Sequence, residues 1–184
     1  MDFAEKKGFS EIVLQGHSLG CSKVVYYFVK TLDKRISKLV LASPSDMVGL
    51  FESPSDHKNL LSLSKKMLLE GKGDEFLPKL IWGWYSLSAK TYLDFSERDN
   101  PIDIFNTYDK NKESVLAKIK IPVLAFLGEK DDAAILPIKE ALAVIKKKAK
   151  NAPRFDTEVI EGAPHSYFGH EQEVADLIIN WVKK

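Results

Sequence analysis

One cysteine, Cys21, in 184 residues leaves no partner for an intrachain disulfide. The fold must therefore be held by its core, and the chain is long enough to build one. Such sparing cysteine use fits a reducing compartment. There is no apolar run of the ~18–20 residues that a membrane-spanning helix needs. The opening Met1-Asp2-Phe3-Ala4-Glu5-Lys6-Lys7 lacks the apolar centre of a secretory signal. Together these absences predict a cytoplasmic protein with no membrane partner. A large excess of either charge is missing too. Lys plus Arg is 27 and Asp plus Glu is 26, a net charge of +1, which argues against a nucleic-acid partner. The run Lys146-Lys147-Lys148 falls at the end of a predicted helix, where cations suit the helix dipole. No Gly-rich phosphate loop, dinucleotide fingerprint or His/Cys/carboxylate cluster at ligand spacing occurs, so neither a cofactor nor a metal is expected.

What is present organises around Gly16-His17-Ser18-Leu19-Gly20. Ile12-Val13-Leu14 before it is a short β-branched run that reads as a buried strand. The stretch from Ser18 to Leu32 reads as a helix, with Val24, Val25, Phe28, Val29 and Leu32 at helical spacing. Strand, G-x-S-x-G and helix together make a nucleophile elbow. The chain must reverse within a few residues, so Ser18 takes a strained backbone conformation. The glycines two before and two after it keep Cβ atoms out of the strand–helix contact. Ser18 then stands at the strand's carboxyl end, and the Leu19 N–H faces the place where an oxyanion forms. Cys21, in the helix's first turn, reads as a small buried residue rather than a second nucleophile.

Residues 2–7 read as a helix end closed by Gly8. Further strands are predicted at 38–42, 121–127 and 155–160, and further helices near 56–70, from Pro137 to about 150, and over 171–182. Strands without polar alternation, separated by helices, imply a parallel sheet covered on both faces. Residues 47–118 break this rhythm. They carry helical stretches and many aromatics but no strand-length apolar run. That segment reads as a helical lid inserted within a single domain spanning 1–184. Most of its aromatics read as the lid's own small core, while Trp82, Trp84 and Tyr85 suggest an apolar pocket.

Ligands of open parallel sheets bind at the carboxyl ends of the strands. Three chemically competent residues follow strands there: Ser18, Asp131 and His165. A serine nucleophile needs a base, best a histidine, and an acid to orient that base. His165, in Gly162-Ala163-Pro164-His165, is preferred as base. His17 should point away around the elbow, His57 lies in a polar lid stretch, and His170 opens the last helix. Asp131, after Gly128-Glu129-Lys130, is preferred as acid over its neighbour Asp132 and over Asp46, just past the second strand.

These three motifs, in the order Ser, Asp, His, resemble the signatures of the α/β-hydrolase superfamily. More narrowly, Val13 to Cys21 with Tyr26-Tyr27 is similar to an esterase-like group that includes fungal siderophore ester hydrolases. The resemblance implies the α/β-hydrolase fold and a catalytic triad of Ser18, Asp131 and His165. The Leu19 N–H would serve as one oxyanion donor. It implies a serine hydrolase whose partner is a small-molecule ester or acyl substrate. Thioesterase, amidase or lactonase chemistry, or a non-catalytic binding relative, are the alternatives. Family members place the elbow after the fifth of eight strands, whereas here it falls at residue 18. The chain thus looks like the C-terminal part of a longer fold. The strand at 12–15 would then be an open edge, and self-association along it is expected.

Overall fold

Four apolar runs become four parallel strands. A computed structural model describes residues 1–184. The strands are β1 (Ile12–His17), β2 (Ile36–Ala42), β3 (Val123–Lys130) and β4 (Phe155–Pro164), and they lie side by side in chain order. Val13 pairs with Lys38, Leu39 with Val123, and Val123 with Phe155, all in parallel register. Every strand is joined to the next by a crossover that contains a helix, as parallel pairing demands.

The central strands show why they sit in the middle. The last four residues of β2 and the first six of β3 are buried, so no polar face is offered to water. Alternate residues feed opposite cores. Leu39, Leu41, Val123, Ala125 and Leu127 face one side, under the helices α2 (Leu19–Thr31) and α6 (Ile138–Lys148). Val40, Ala42, Leu124 and Phe126 face the other, under α7 (Glu171–Val182), which lays Trp181 against them. β1 is an edge strand, only half-buried over Ile12–Leu14. A short N-terminal helix, α1 (Asp2–Lys6), buries none of its residues. Arg35 ties it to the start of β2 through Asp2 and Glu5, at 2.9 and 2.7 Å.

All four strands run further at one end than their apolar runs predict, β2 by starting at Ile36. β4 extends through Glu161-Gly162-Ala163-Pro164, because pairing with β3 resumes past an irregularity between Gly128 and Lys130, where Lys130 pairs with Pro164. Gly162 absorbs the turn in backbone direction at φ 68°. β3 likewise starts two residues late, after Pro122, and ends at Lys130. β1 carries on into the elbow as far as His17.

Between β2 and β3 lie α3 (Met47–Glu52), α4 (His57–Leu69), α5 (Ala89–Ser96) and a 3₁₀ turn (Val115–Lys118). The first three share a small core of their own, with Phe51, Leu60, Leu77, Ile81 and Tyr92 buried together. Ile104, Phe105 and Leu116, later in the same insertion, pack instead into the main core beside α2 and α6.

Candidate active site

The site is built where β1, β3 and β4 end. Ser18 follows β1 directly and sits at φ 55°, ψ −127°, the strained conformation an elbow requires. Its N–H donates to the Ala42 carbonyl at 2.9 Å, pinning the turn to the end of β2. Its hydroxyl makes no capping bond to α2, although Ser18 is the N-cap residue. The close approach falls on one glycine of the pair. A Cβ on Gly16 would lie 2.4 Å from the Gly20 carbonyl oxygen, whereas one on Gly20 would meet open space. Leu19 is the first residue of α2, so its N–H lacks an intrahelical acceptor. Cys21 is buried, its thiol donating to the Gly16 and Ala42 carbonyls at 3.2 and 3.1 Å. Burial pushes that thiol far above the ordinary cysteine range and keeps it inert.

Asp131 follows β3 and His165 follows β4, and they meet. His165 Nδ1 lies 2.8 Å from Asp131 Oδ1. A carboxylate there accepts, so Nδ1 carries the hydrogen and Nε2 is left as the ring's basic atom. The Asp131 side chain is fully buried, and its Oδ1 also accepts from the Ala133 N–H at 3.0 Å. Burial alone would raise the Asp131 pKa, but the hydrogen bonds it accepts, that from His165 foremost, and the His165 charge together outweigh it, and the carboxyl is held below its usual range. The same bond raises His165 above the ordinary histidine value, against the opposing pull of its partial burial, and the Asp132 charge adds to it. Here too a glycine is forced: a Cβ on Gly128 would lie 2.3 Å from the Ala163 carbonyl oxygen.

The rival residues have other work. Asp46 is buried as the N-cap of α3, accepting from the Gly49 N–H at 2.9 Å, and from Thr107 Oγ1 and the Tyr108 N–H, each at 2.8 Å. Burial raises its pKa despite those bonds. His57 Nδ1 is 3.0 Å from the Tyr92 hydroxyl, and His170 Nδ1 is 3.0 Å from Glu173. Asp132 makes no bond to the imidazole but lines the same cavity as His165.

His17, expected to point away around the elbow, bonds to the loop that carries the base. Its Nε2 donates to the His165 carbonyl at 2.8 Å, and the two rings are 5.0 Å apart. Two more residues that the motifs do not point to join it. Ser43, at φ 51° just past β2, places Oγ 3.4 Å from the same carbonyl and donates to the Tyr167 hydroxyl at 2.8 Å. Tyr167, at φ 58°, donates onward to the Phe126 carbonyl in β3 at 3.2 Å. The loop that carries His165 is thus tied to β1, β2 and β3 by side chains. The one sequence cue is the proximity of Tyr167 to His165.

Ser18, Leu19 and His165 open onto a cavity of about 530 Å³. Ser45, Asp132 and Ala133 complete the sheet side. Met47, Leu50, Trp82, Trp84, Tyr85 and Phe95 supply the opposite wall from the insertion. Trp82, Trp84 and Tyr85 are therefore wall rather than core, in contrast to the buried Tyr92. No helix of the chain is long and apolar enough to cross a membrane.

The family of proteins of unknown function DUF1749 matches this chain over residues 2–184. The chain belongs to that family. It has the α/β-hydrolase fold, which solved structures share with it. Est1E from Butyrivibrio proteoclasticus, with ferulic acid bound, superposes with a TM-score of 0.62 at 20% identity, over 98% of this chain and 62% of that one. A thermostable carboxyl esterase from Bacillus coagulans gives 0.61 at 18% identity, over 99% and 67%. A monoacylglycerol lipase from Paleococcus ferrophilus gives 0.55 at 20%, over 98% and 70%. This DUF1749 chain thus spans about two thirds of the length of the hydrolase-fold structures it matches. No curated protein matches its sequence.

Proposed function

We propose that this protein is a serine hydrolase of carboxylic esters, with Ser18 as nucleophile, His165 as base and Asp131 as its orienting acid. One observation carries the reading. A serine in the strained elbow conformation and a histidine bonded through Nδ1 to a buried carboxylate share one cavity. Esterases and a lipase among the structures of the same fold support it.

On this reading the reaction is a two-step acyl transfer. Ser18 Oγ attacks the acyl carbon as its proton passes to His165 Nε2. Asp131 holds the ring in the tautomer that makes Nε2 the acceptor and stabilises the imidazolium. The Leu19 N–H, at the positive end of α2, donates to the oxyanion. The tetrahedral intermediate expels the alcohol, which takes the proton from Nε2 and leaves an acyl-serine. Water then attacks that ester, giving its proton to Nε2, and the carboxylic acid departs as Ser18 regains its hydrogen. We also propose that the chain self-associates along the open edge of β1, as a mass of two chains in light scattering would attest and a single-chain mass would refute.

The test is hydrolysis of p-nitrophenyl butyrate and labelling by a fluorophosphonate, with Ser18→Ala beside the wild type. Turnover and labelling that both vanish in the variant are expected. Turnover that survives Ser18→Ala would overturn Ser18 as the nucleophile, and a wild-type serine that neither labels nor turns over would overturn the reading in favour of a non-catalytic binding protein.

A further inference from the structure

The insertion wall of the cavity has an unusual composition. Trp82, Trp84 and Tyr85 are 38%, 71% and 37% exposed; Trp84 stands mostly in solvent, and Trp82 backs onto the buried Phe51 with its centroid 4.9 Å away. Their rings form a cluster: the centroids of Trp84 and Tyr85 are 5.3 Å apart, those of Trp82 and Trp84 6.3 Å, and those of Trp82 and Tyr85 6.4 Å. The exposed Asp132 lines the same cavity. The ion pair with His165 is made by Asp131, which leaves the Asp132 charge uncommitted to it. None of the 27 Lys and Arg residues lines the cavity.

Electron-rich rings attract a cation placed within about 6 Å of their centroids, and tryptophan does so most strongly. At spacings of 5.3–6.4 Å, a cation seated in the cluster is in reach of more than one ring. A carboxylate in the same lining adds direct attraction and repels anions. We propose that the Trp82–Trp84–Tyr85 wall, with Asp132, binds a substituted ammonium group, so that esters carrying a positive charge are preferred over neutral isosteres. This rests on the ester-hydrolase reading of Ser18, and it adds the charge class of the substrate to it.

The test separates the two. Choline butyrate is compared with 3,3-dimethylbutyl butyrate, which has the same shape with carbon in place of nitrogen. In the wild type the ratio of their kcat/KM values is expected to be roughly ten, the size of one good cation–aromatic contact. It should fall toward one in Asp132→Asn and in Trp84→Ala. Because the ratio is taken within each variant, any change in His165 basicity cancels. Tetraethylammonium chloride, titrated against tryptophan fluorescence with sodium chloride as control, should give a saturable change that weakens roughly tenfold in Asp132→Asn. A wild-type ratio of one or below, or no saturable tetraethylammonium signal, overturns the proposal while p-nitrophenyl butyrate turnover leaves the hydrolase reading standing. If no ester is turned over, that reading fails, and the fluorescence titration alone decides the ammonium site.

Discussion

The two walls of the cavity are made in opposite ways. The sheet wall consists of residues that immediately follow strands, fixed by parallel pairing and by backbone contacts so close that Gly16 and Gly128 admit no side chain. The insertion wall consists of side chains from short helices and an irregular stretch closed by single bridges, Phe76 to Ser88 and Ile81 to Tyr85. The first is rigid and chemically specific. The second is exposed, aromatic and open to change. If the proposed function holds, reaction and choice of substrate reside in different parts of this chain, and mutations should separate them.

The largest effects belong to the sheet wall. Ser18→Ala should lower kcat by roughly 10⁴–10⁶ without moving the melting temperature, as measured with a p-nitrophenyl ester and by thermal denaturation. Asp131→Asn should cost about 10⁴ in kcat, because an amide leaves His165 in the wrong tautomer. Gly128→Ala should act on the fold instead. The new Cβ would meet the Ala163 carbonyl, and a loss of about 3 kcal/mol in denaturant unfolding is expected. A variant of Trp84 that abolished turnover of small esters would break the comparison. Trp84→Ala is expected to change stability by less than about 0.5 kcal/mol, since its ring is mostly exposed. It should raise KM and leave kcat for a short neutral ester within a fewfold.

Acidity sharpens the same division. His165 must be neutral to accept the Ser18 proton, and its pKa is raised by Asp131. Activity should therefore be absent at low pH and rise through a single titration centred above the ordinary histidine value. In Asp131→Asn the residual activity should titrate at lower pH, as the partner that stabilised the imidazolium is gone. A pH–rate profile of kcat/KM in both forms checks the direction.

What the sequence made legible was local. The elbow, the acid turn and the base loop each carry their signal within five residues, and strand order follows from the β–α alternation. Asp46 and Asp131 both follow a strand, and only tertiary contacts separate them. Asp46 is consumed by Gly49, Thr107 and Tyr108, the latter two some sixty residues away in chain, whereas Asp131 faces His165. The bond from His17 to the His165 carbonyl was not legible, because that acceptor lies 148 residues away. The extra length of β4 depends on register with β3 rather than on apolar content. The insertion offered helical periodicity in α4, but whether an aromatic became core, as Tyr92 did, or wall, as Trp84 did, depends on packing that no short window contains.

The loop bearing His165 hangs from β1 through His17, from β2 through Ser43 and from β3 through Tyr167. A segment anchored to three strands at once has no cheap way to detach by itself, and so belongs to the same cooperative unit as the sheet. Heat inactivation and loss of secondary structure should then coincide on one curve. The buried Tyr167 amide, which donates to the Pro164 carbonyl at 3.0 Å, should exchange with deuterium only as the whole sheet opens, while the amides around Trp84 exchange long before.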